Sequence, residues 1–384
     1  MRIVQTVFGV FHHFDLAREL QRRGHLERIY STWPWQRIRR EGIPNDKVKT
    51  FPWIHTPEFL LRRAGLLPRP VEDLTGYLNA LTFDEYTART LPECDALIGI
   101  SGSSLKAGRL LQSRGGRFFC DRGSSHQRYQ EEIVSDEFRR WGVDTPVSDP
   151  RDTAREEEIY AMADGIAVPS SFAARSFAAM GVDPSRVHTI PYGVRLERFK
   201  PVAEPPADRL ELLFVGNVGL RKGVPYLLEA FARLAHPHKR LRVVGSISRE
   251  FPPVLARLPK DNVEFLGLRP QDEVARMMSE SHLLVLPSIE EGLALVQGQA
   301  LACGCPVLAS TNTGGEDLFD DEVAGFIVPI RDVDALLDRM ERIAGDAALH
   351  GRMRAAALDR VKRIGGWETY GDRWEQLLKS SLKF

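Results

Sequence analysis

The sequence predicts an α/β protein of two domains, each built on a parallel β-sheet with helices on both faces. Two observations predict it. Short apolar runs alternate with segments of helical periodicity along the whole chain, which is the pattern of βαβ units. The length of 384 residues and a proline-rich segment at Lys200–Arg209 indicate about two domains that are joined at this segment.

The first half contains runs that are apolar enough to be strands of a sheet buried on both faces. These runs are Ile3–Phe8, Ala96–Ile100, Arg117–Cys120, Gly165–Val168 and Val187–Ile190. Helical patterns lie between them, for example at Asp15–Arg23 and Ala154–Ala163. The alternation predicts a first domain over residues 1–190.

The second half repeats this alternation. Its strand-like runs are Leu212–Val215, Leu241–Val244, Val263–Leu266, Leu283–Leu286, Pro306–Ala309 and Gly325–Val328, and its helical patterns are Val224–Leu234, Gln271–Ser279, Leu295–Ala302 and Asp332–Ile343. A second domain is therefore predicted over residues 205–365. In the last segment, 366–384, Trp367, Tyr370 and Trp374 recur at helical spacing, which predicts a helix that packs back on the first domain.

Composition and charge argue against several classes of protein. The chain has 52 basic and 52 acidic residues, so it lacks the basic excess of a nucleic-acid-binding protein. It has no apolar run of 18 residues that could cross a membrane, and we expect no signal peptide at its start. Its four cysteines lack metal-binding spacing and predict buried, reduced thiols of a cytoplasmic protein.

A glycine-rich segment, Phe214–Gly223, follows the first strand of the second domain and precedes a helix. Glycines let a ligand approach the backbone closely, and a helix N-terminus attracts anions. Arg221 and Lys222 add positive charge. The segment is a candidate cradle for a diphosphate, although a glycine turn with surface cations would have the same residues.

Two acidic residues, Glu290 and Glu291, follow another buried strand and precede a helix of small residues. Acidic side chains are stabilised at a helix N-terminus, so both could be ordinary helix-start residues. Glu291 and Gln299, however, are eight positions apart, about two helical turns, and would share one face of the helix. Both side chains could then point at one polar ligand in the cleft beyond the strand ends.

The segment Pro287–Ser310, PSIEEGLALVQGQALACGCPVLAS, resembles the signature of the family 4 retaining glycosyltransferases, which have the GT-B fold. The resemblance extends to LLFVGNVGLRKG, to IPYGVRLERF at 190–199, to Val168–Ser170 and to Thr313–Asp317. It implies two Rossmann-like domains that face each other across a cleft. It also implies retaining transfer of a hexose from a nucleotide-diphosphate sugar.

The resemblance implies roles for individual residues. Glu291 corresponds to a glutamate that contacts hydroxyls of the donor sugar, Gln299 to a second glutamate that holds the ribose, and Lys222 to a lysine that binds the diphosphate. His126 corresponds to a histidine near the donor sugar. The implied donor-binding residues are Gly216, Asn217, Arg221, Lys222, Glu291, Gly292, Leu293, Ala294, Leu295 and Gln299, and the implied catalytic residues are Glu291, His126, Lys222 and Arg221.

The loop after the first strand is implied to approach the donor phosphates and the acceptor. It contains Gly9, and His12 and His13 follow it. The two histidines could line the acceptor site, and an ordinary start of a helix explains them equally well.

Two positions depart from the family pattern. Gln299 is neutral where the family commonly has a glutamate, but an amide can still hydrogen-bond vicinal hydroxyls. Asn217 stands where many members have an arginine, and Arg221 could supply the missing charge. The resemblance implies neither a bound metal nor another cofactor, because Arg221, Lys222 and a helix N-terminus can meet the charge that develops on the diphosphate.

The resemblance also implies the partners of the protein. They are a nucleotide sugar, with a UDP-sugar favoured over GDP-mannose, and a glycan or lipid-linked acceptor in bacterial-type polysaccharide or lipopolysaccharide synthesis. The segment 16–70 has 12 basic and 5 acidic residues and contains Trp33, Trp35 and Trp53. This composition suits contact with anionic lipids at the inner face of a membrane. A solvated face with an aromatic acceptor groove would have the same composition.

Two other functions are compatible with the sequence. One is a sugar-nucleotide epimerase of the same fold, against which Glu291 in its signature argues. The other is a nucleotide-sugar-binding protein without turnover, which the departures at Gln299 and Asn217 favour.

Overall fold

The computed structural model describes residues 1–382, in which the chain forms two parallel β-sheets. The strands of the first sheet are β1 (Ile3–Val7), β2 (Leu26–Ser31), β3 (Val48–Thr50), β4 (Ala96–Ile100), β5 (Arg117–Asp121), β6 (Gly165–Val168) and β7 (Val187–Thr189). The helices of this half are α1 (His12–Arg22), α2 (Trp35–Ile38), α3 (His55–Arg63), α4 (Arg69–Thr90), α5 (Leu105–Ser113), α6 (Gln127–Arg140), α7 (Pro150–Met162) and α8 (Ser171–Ala179). The strand order is β3-β2-β1-β4-β5-β6-β7.

The second sheet has the order β10-β9-β8-β11-β12-β13. Its strands are β8 (Leu210–Val215), β9 (Lys239–Val244), β10 (Val263–Gly267), β11 (Leu283–Leu286), β12 (Val307–Ser310) and β13 (Gly325–Val328). The helices are α9 (Val224–Arg233), α10 (Pro252–Leu255), α11 (Gln271–Ser279), α12 (Leu295–Ala302), α13 (Val333–Gly345), α14 (Ala347–Ile364) and α15 (Trp367–Leu382). The predicted fold class, two Rossmann-like α/β domains, is confirmed.

The strand β11 shows why the apolar runs predicted a buried sheet. Its side chains are fully buried, and they pack alternately into two apolar cores. Leu284 belongs to one core, and Leu283 and Val285 belong to the other. A parallel strand covered by helices on both faces therefore has no polar side, which gives it a continuous apolar sequence.

The chain reverses its strand order at the same place in both sheets. In the first sheet β1 lies between β2 and β4, and in the second sheet β8 lies between β9 and β11. Beyond the carboxyl ends of such neighbouring strands an α/β sheet leaves a crevice in which ligands bind. The two crevices face each other across the boundary between the domains.

Two segments that pack against each other connect the domains. A Cβ atom on Gly193 would lie 2.5 Å from the backbone of Gly366, and the N–H of Val194 donates to the carbonyl of Gly365 at 3.3 Å. The first sheet ends at β7, the second begins at β8, and α15 then packs on α1. Residues 383 and 384 of the predicted last segment lie outside the described residues.

The helix α15 completes the apolar core of the first domain. The side chain of Trp374 is fully buried, and its ring centroid lies 6.4 Å from that of Phe119 on β5. Arg23, which follows α1, donates to Asp372 at 2.5 Å, and a ring nitrogen of His25 lies 3.0 Å from a carboxylate oxygen of Glu375. Apolar burial and charge pairing thus hold the last helix on the first domain.

The structure also bears on the features inferred from composition. No helix within residues 1–382 is long and apolar enough to cross a bilayer. The four cysteines are buried free thiols in this described range, and burial raises the pKa of Cys94 to about 12. Trp33 is only 8% exposed whereas Trp53 is 74% exposed, so Trp33 is a packing residue rather than part of a membrane-facing surface.

Candidate active site

A cleft of about 650 Å³ lies where the carboxyl ends of the two sheets face each other. The first domain and the interdomain segment line it with Phe11, His12, Ile100, Ser101, Arg122, Gly123, Ser124, Gln130 and Tyr192. The second domain lines it with Val215, Gly216, Arg221, Lys222, Glu291, Leu293, Ala294, Leu295, Val296 and Gln299. The fold therefore brings most of the predicted donor-binding residues into one cavity.

The glycine-rich loop after β8 runs close to the end of β11. Gly223 has φ +65°, and a Cβ atom there would collide with the carbonyl oxygen of Pro287. The positive φ and the close approach of Pro287 each require glycine at this position. This close packing places Lys222 beside Glu291, and the two side chains form an ion pair in which the ammonium contacts Oε2.

The Lys222–Glu291 pair is largely buried, with side chains 12% and 18% exposed. Burial, followed by the neighbouring Arg221, lowers the pKa of Lys222 to about 7, while the carboxylate of Glu290 favours its charged form. The cleft thus places a cation, Lys222, next to a carboxylate, Glu291. The sequence predicts that Lys222 contacts the diphosphate and that Glu291 contacts the sugar.

Glu290 faces the first domain instead of the donor cleft. Its carboxylate accepts hydrogen bonds from Ser124 Oγ at 2.6 Å, Ser125 Oγ at 2.7 Å and Gln130 Nε2 at 2.7 Å. Arg221 Nη1 approaches the same carboxylate at 3.1 Å and also donates to the carbonyl of Glu290 at 3.2 Å. Arg221, which was predicted to serve the diphosphate, is thus partly engaged in this interdomain contact.

The carboxylate of Glu290 is fully buried. Burial alone would raise its pKa, but the charge of Arg221 and the hydrogen bonds from Ser124 and Ser125 outweigh this and lower the pKa to about 2. Glu290 is therefore ionised at neutral pH, and it joins the domains through a charged, fully buried hydrogen-bond network.

A second buried carboxylate joins the domains about two turns further along α6. Glu137 accepts from Trp141 Nε1 at 2.8 Å within its own helix. From the second domain it accepts from the hydroxyl of Tyr226 at 2.8 Å and from Nε of Arg331 at 2.7 Å. Glu137 and Glu290 together fix α6 and the loop before it against the second domain.

Gly292 lies at the closest backbone approach between the domains. A Cβ atom there would collide with the carbonyl oxygen of Gly123 and lie 2.5 Å from Cα of Ser124. Ser170 Oγ also donates to the carbonyl oxygen of Gly292. Gly292 does not line the described cleft, so the structure places it in the contact that closes the cleft rather than beside the donor.

Asn217 also lies apart from the main cleft. It lines a neighbouring cavity of about 430 Å³ that shares Arg221 and Lys222 with the cleft. Its amide nitrogen donates to Ser248 Oγ at 2.7 Å, and its carbonyl accepts from Ser246 Oγ at 3.2 Å. These bonds orient the amide within its own domain.

His12 begins α1 and lines the cleft. Its Nε2 lies 3.0 Å from Oδ2 of Asp121, the last residue of β5. His13 is fully buried behind it, 3.3 Å from the same carboxylate oxygen, and mainly burial lowers its pKa to about 3. Ligand-type atoms of the three residues lie within 4.8 Å of one another, a spacing at which they could hold a metal ion.

Gly9 and His126, two further predicted residues, do not line the described cleft. Gly9 has φ +74°, and a Cβ atom there would lie 2.7 Å from Nε1 of Trp33. The ring of His126 packs against Tyr160 and Phe177, with ring centroids 4.9 and 5.0 Å away. Its Nδ1 caps α6, and mainly burial lowers its pKa to about 4. In the structure His126 thus packs against two aromatic rings and caps α6, and its implied place near the donor sugar stays a prediction.

Several residues of this region were not singled out from the sequence. They are Asp121, Arg122, Ser124, Ser125, Gln130, Glu137 and Arg331. Asp121 and Arg122 follow a predicted buried strand, a position that is typical of ligand-facing residues in parallel sheets. No sequence pattern indicated the contacts between the domains, because the two residues of each contact are far apart in the sequence.

Comparisons with known proteins agree with this architecture. Residues 197–360 match the model of the family described as "Glycosyl transferases group 1". One relative, D-inositol 3-phosphate glycosyltransferase 1 of Catenulispora acidiphila, is 31% identical over 257 residues, or 61% of each chain. Another, the GDP-mannose-dependent monoacylated alpha-(1-6)-phosphatidylinositol monomannoside mannosyltransferase of Corynebacterium glutamicum, is 29% identical over 55% of this chain and 61% of its own.

The match to these curated relatives thus spans about three fifths of their length. Among solved structures, the sucrose-phosphate synthase of Thermosynechococcus elongatus superposes with a TM-score of 0.71 at 21% identity, over 99% of each chain. At this identity the likeness shows a shared fold that extends over both domains. Residues 197–360 belong to the group 1 glycosyl transferases, and the whole chain has the GT-B fold.

Proposed function

We propose that this protein is a retaining, metal-independent hexosyltransferase. It moves a hexose from a nucleotide-diphosphate sugar to a glycan or lipid-linked acceptor, as a step in bacterial-type polysaccharide or lipopolysaccharide synthesis on the cytoplasmic side of the membrane. UDP-sugars are the first donors to test, since they are frequent in the family that the sequence resembles. GDP-mannose follows, since it is named for the Corynebacterium relative.

One observation carries the proposal. The cleft between the facing sheet ends combines a cation, Lys222, with a carboxylate, Glu291, and an amide, Gln299. A diphosphate needs positive charge, and hydroxyl groups of a sugar and a ribose need hydrogen-bond acceptors. These groups are the set that a nucleotide-diphosphate sugar requires.

The arrangement suggests how the donor reacts. The diphosphate takes Lys222 from Glu291, and Glu291 becomes free to hydrogen-bond hydroxyls of the sugar. Lys222 and the positive end of the α9 helix dipole then stabilise the negative charge of the departing diphosphate. The closed contact at Gly292 limits access of water, which would otherwise hydrolyse the donor.

The first domain offers a place for the acceptor. A cavity of about 360 Å³ adjoins the cleft at Ser101, and its lining includes Glu58, Asn79, Asp152 and Glu156. Carboxylates and amides in such a cavity are suited to the hydroxyl groups of a glycan. Burial and the neighbouring Asp149 raise the pKa of Asp152 to about 6, so it can also donate a hydrogen bond below that pH.

An exposed apolar surface lies on the same domain. It consists of Leu60, Leu61, Leu66, Val71, Leu74 and Leu78 on α3, α4 and the loop between them, each more than 40% exposed. We call it the hairpin surface. It adjoins in sequence the segment 16–70, whose net charge is +7. Apolar side chains beside basic ones are suited to peripheral contact with anionic lipids, which would bring the cleft to a lipid-linked acceptor.

Thermal denaturation with UDP, GDP, ADP and their sugars tests the proposed donor site. A ligand that binds the native state raises the melting temperature by mass action. We expect one nucleotide series to stabilise the wild type and to stabilise Lys222→Met much less. Lys106→Met is the control, because Lys106 pairs with Glu85 on the surface of the first domain.

The outcomes separate the alternatives. Absence of stabilisation by any nucleotide would contradict the proposed donor site. Stabilisation without transfer to any glycan or lipid acceptor would favour a binding protein, and conversion of the sugar without an acceptor would favour an epimerase. The anomeric configuration of the product, measured by NMR, decides between retention and inversion.

A further inference from the structure

The cavity that adjoins the cleft at Ser101 contains polar side chains without a partner. Two of them are carboxylates, Glu58 on α3 and Asp152 on α7, which have neither a hydrogen-bond nor an ion-pair partner within residues 1–382. The third is the amide of Asn79 on α4, which is 6% exposed and whose Oδ1 has no hydrogen-bond partner in this range. Polar groups that are removed from water and lack a protein partner call for a partner from outside the protein.

The basic side chains that line the same cavity are already paired or uncharged. Arg155 forms a buried ion pair with Asp84 at 2.5 Å, and Arg62 contacts the carboxylate of Glu72 at 3.3 Å. Burial lowers the pKa of His55, so its ring is mostly neutral at pH 7. The part of the lining that the structure describes therefore offers no unpaired cation to an anionic ligand.

The remaining acidic residue of the lining, Glu156, is also paired. Its carboxylate accepts from Nη1 of Arg122 at 3.1 Å and from the hydroxyl of Tyr160. The two carboxylates without a partner thus give the cavity an excess of negative charge. Burial raises the pKa of Glu58 and, together with nearby carboxylates, raises that of Asp152 to about 6. Both shifts have the direction expected where negative charge lacks compensation, and a bound cation would stabilise the ionised forms.

The shape of the cavity suits a sugar ring. Its volume of about 360 Å³ is in the range of small-molecule sites. Gly76 on α4 lines it, and no atom lies within 4 Å of a Cβ placed there. A Cβ on Gly102 would lie 3.6 Å from Cε2 of Phe8 and 3.8 Å from Oε1 of Glu156, so this glycine keeps the space between the two side chains open. Phe8 lines the cavity with an aromatic ring, on which the apolar face of a sugar can pack.

We propose that this cavity binds an amino sugar of the acceptor, and that Glu58 and Asp152 select its positively charged amine. The inference rests on the proposed function and names the class of its acceptor, a glycan or lipid-linked sugar with a free amine. An ammonium group has donors only, which complements carboxylates that only accept, and Asn79 can bond a hydroxyl of the same ring. Because Ser101 lines both the cavity and the cleft, another hydroxyl of the ring can face the donor.

Calorimetry with matched ligands tests the selection of charge. The ligands are methyl glucoside and its three analogues that have an amine in place of the hydroxyl at C2, C4 or C6. Each is titrated at pH 7 into the protein, with and without UDP, or GDP if that is the stabilising nucleotide. We expect at least one amino glucoside to bind wild type roughly tenfold more tightly than methyl glucoside does, because hydrogen bonds to charged groups are the stronger ones. The acceptor KM in the transfer assay should show the same preference.

Substitutions that remove charge and keep shape assign this preference to the two carboxylates. Glu58→Gln and Asp152→Asn should each reduce the preference for the amino glucoside at least threefold, and the double substitution should abolish it. The affinities for methyl glucoside and for the nucleotide should stay within twofold of wild type, which a general loss of structure would not allow. Glu132→Gln is the control, because Glu132 is an exposed residue of α6 in the same domain and its removal should leave the preference unchanged.

The substitution Gly76→Met tests the place of binding. The glycine lies within a helix and beside open space, so the longer side chain fills the cavity without displacing protein atoms. Methionine also favours the helix more than glycine does. We expect all four glucosides to lose binding to this variant, while the nucleotide binds as it does to wild type.

Four results would overturn the inference. They are affinities for amino and neutral glucosides within threefold of each other, a preference that persists in the double variant, glucoside binding that persists in Gly76→Met, and absence of binding by every amino glucoside. A wild type that binds an amino glucoside with the expected preference but binds no nucleotide would support the amino-sugar site and contradict the proposed donor site. The titrations without nucleotide therefore distinguish failure of the inference from failure of the proposed function.

Discussion

Lys222 and Glu291 form an ion pair in the cleft between the two domains. Their ion pair is mostly shielded from water. A nucleotide-diphosphate sugar would bind only by replacing this contact with two new ones, diphosphate to Lys222 and sugar hydroxyls to Glu291. Free nucleotide gains the first contact alone, whereas the nucleotide sugar gains both.

Substitution Glu291→Gln should therefore have opposite effects on binding and turnover. Lys222 loses its competing carboxylate, so UDP or GDP should bind several-fold tighter. Turnover should fall roughly tenfold to 100-fold, because a charged hydrogen bond to the sugar is worth about 1.5–3 kcal/mol. Calorimetry for Kd and initial rates for kcat measure the two effects. Glu280→Gln is the control, since Glu280 is paired with Arg242 at 2.9 Å outside the cleft. Weaker nucleotide binding by Glu291→Gln would contradict the idea that Glu291 competes with the diphosphate for Lys222.

Substitution Gln299→Glu should strengthen donor binding. Gln299 lines the cleft together with Glu291, but α12 begins only at Leu295, so the predicted shared helix face is wrong and the loop before α12 carries Glu291. A charged acceptor forms a stronger hydrogen bond to vicinal hydroxyls than a neutral amide does, by about 1 kcal/mol. We expect KM for the donor to fall roughly fivefold. An unchanged KM for the nucleotide sugar together with an unchanged Kd for the nucleotide would remove Gln299 from the ribose site.

Substitution Glu290→Gln should weaken the contact between the two domains. It leaves Arg221 without its buried charge partner, at a cost of about 2–3 kcal/mol, the low end for buried pairs because the Arg221 side chain is 37% exposed. The melting temperature should fall by several degrees, and the radius of gyration from small-angle scattering should rise. Unchanged values of both would show that the network does not hold the domains together.

The lowered pKa of Glu290 also predicts how the wild type responds to acid. The pKa of Glu290 is lowered from 4.5 to about 2 in the folded protein, so its stabilisation is complete above pH 4.5. This stabilisation is lost as the pH falls from 4.5 toward 2, since protonation then favours the open or unfolded chain. Scattering at pH 3 should show this opening in the wild type and a smaller change in Glu290→Gln.

Substitution Gly292→Ala should hold the cleft open. The added methyl group would collide with the carbonyl oxygen of Gly123, which belongs to backbone and cannot rotate away. We expect kcat to fall at least tenfold, with an increased share of donor hydrolysis because water enters the cleft. The control is Gly351→Ala on α14, where no atom lies within 4 Å of the new Cβ. Equal transfer-to-hydrolysis ratios in both variants would contradict a role in closure.

The hairpin surface predicts binding to anionic vesicles. The double substitution Leu61→Asp and Leu74→Asp should reduce sedimentation with phosphatidylglycerol vesicles at least fivefold, because it places charge on an apolar contact surface. Leu268→Asp serves as the control, since Leu268 is 80% exposed but belongs to the second domain. Binding that is equal in all three proteins, or absent from the wild type, would contradict the membrane contact.

Much of the fold follows from the sequence because buried parallel strands are continuous apolar runs. The runs Ala96–Ile100, Gly165–Val168 and Leu283–Leu286 coincide with β4, β6 and β11. The strand β2 was not predicted, because its LERIYS sequence has a charged pair near its start. The strand β3 is only three residues long and lies at the sheet edge, where burial constrains the sequence least.

Much of the lining that the second domain gives the cleft could be predicted, because its residues lie in two short segments of the chain. The contacts between the domains could not, since Glu290 meets Ser124 and Gln130 from more than a hundred residues away. The sequence shows two adjacent glutamates but not that one faces the donor and the other the opposite domain. For His126 the resemblance implied a place near the donor sugar, but no sequence pattern indicated its packing against Tyr160 and Phe177.

The burial of Trp374 in the first domain has a consequence for how such proteins can be recombined. The coding region of the first domain is discontinuous, because β1 to β7 and α15 are separated by the whole second domain. A ribosome finishes the second domain before it releases the tryptophan that completes the first. Any chimera that exchanges the first domain between related proteins must therefore carry two pieces of the gene, one from each end.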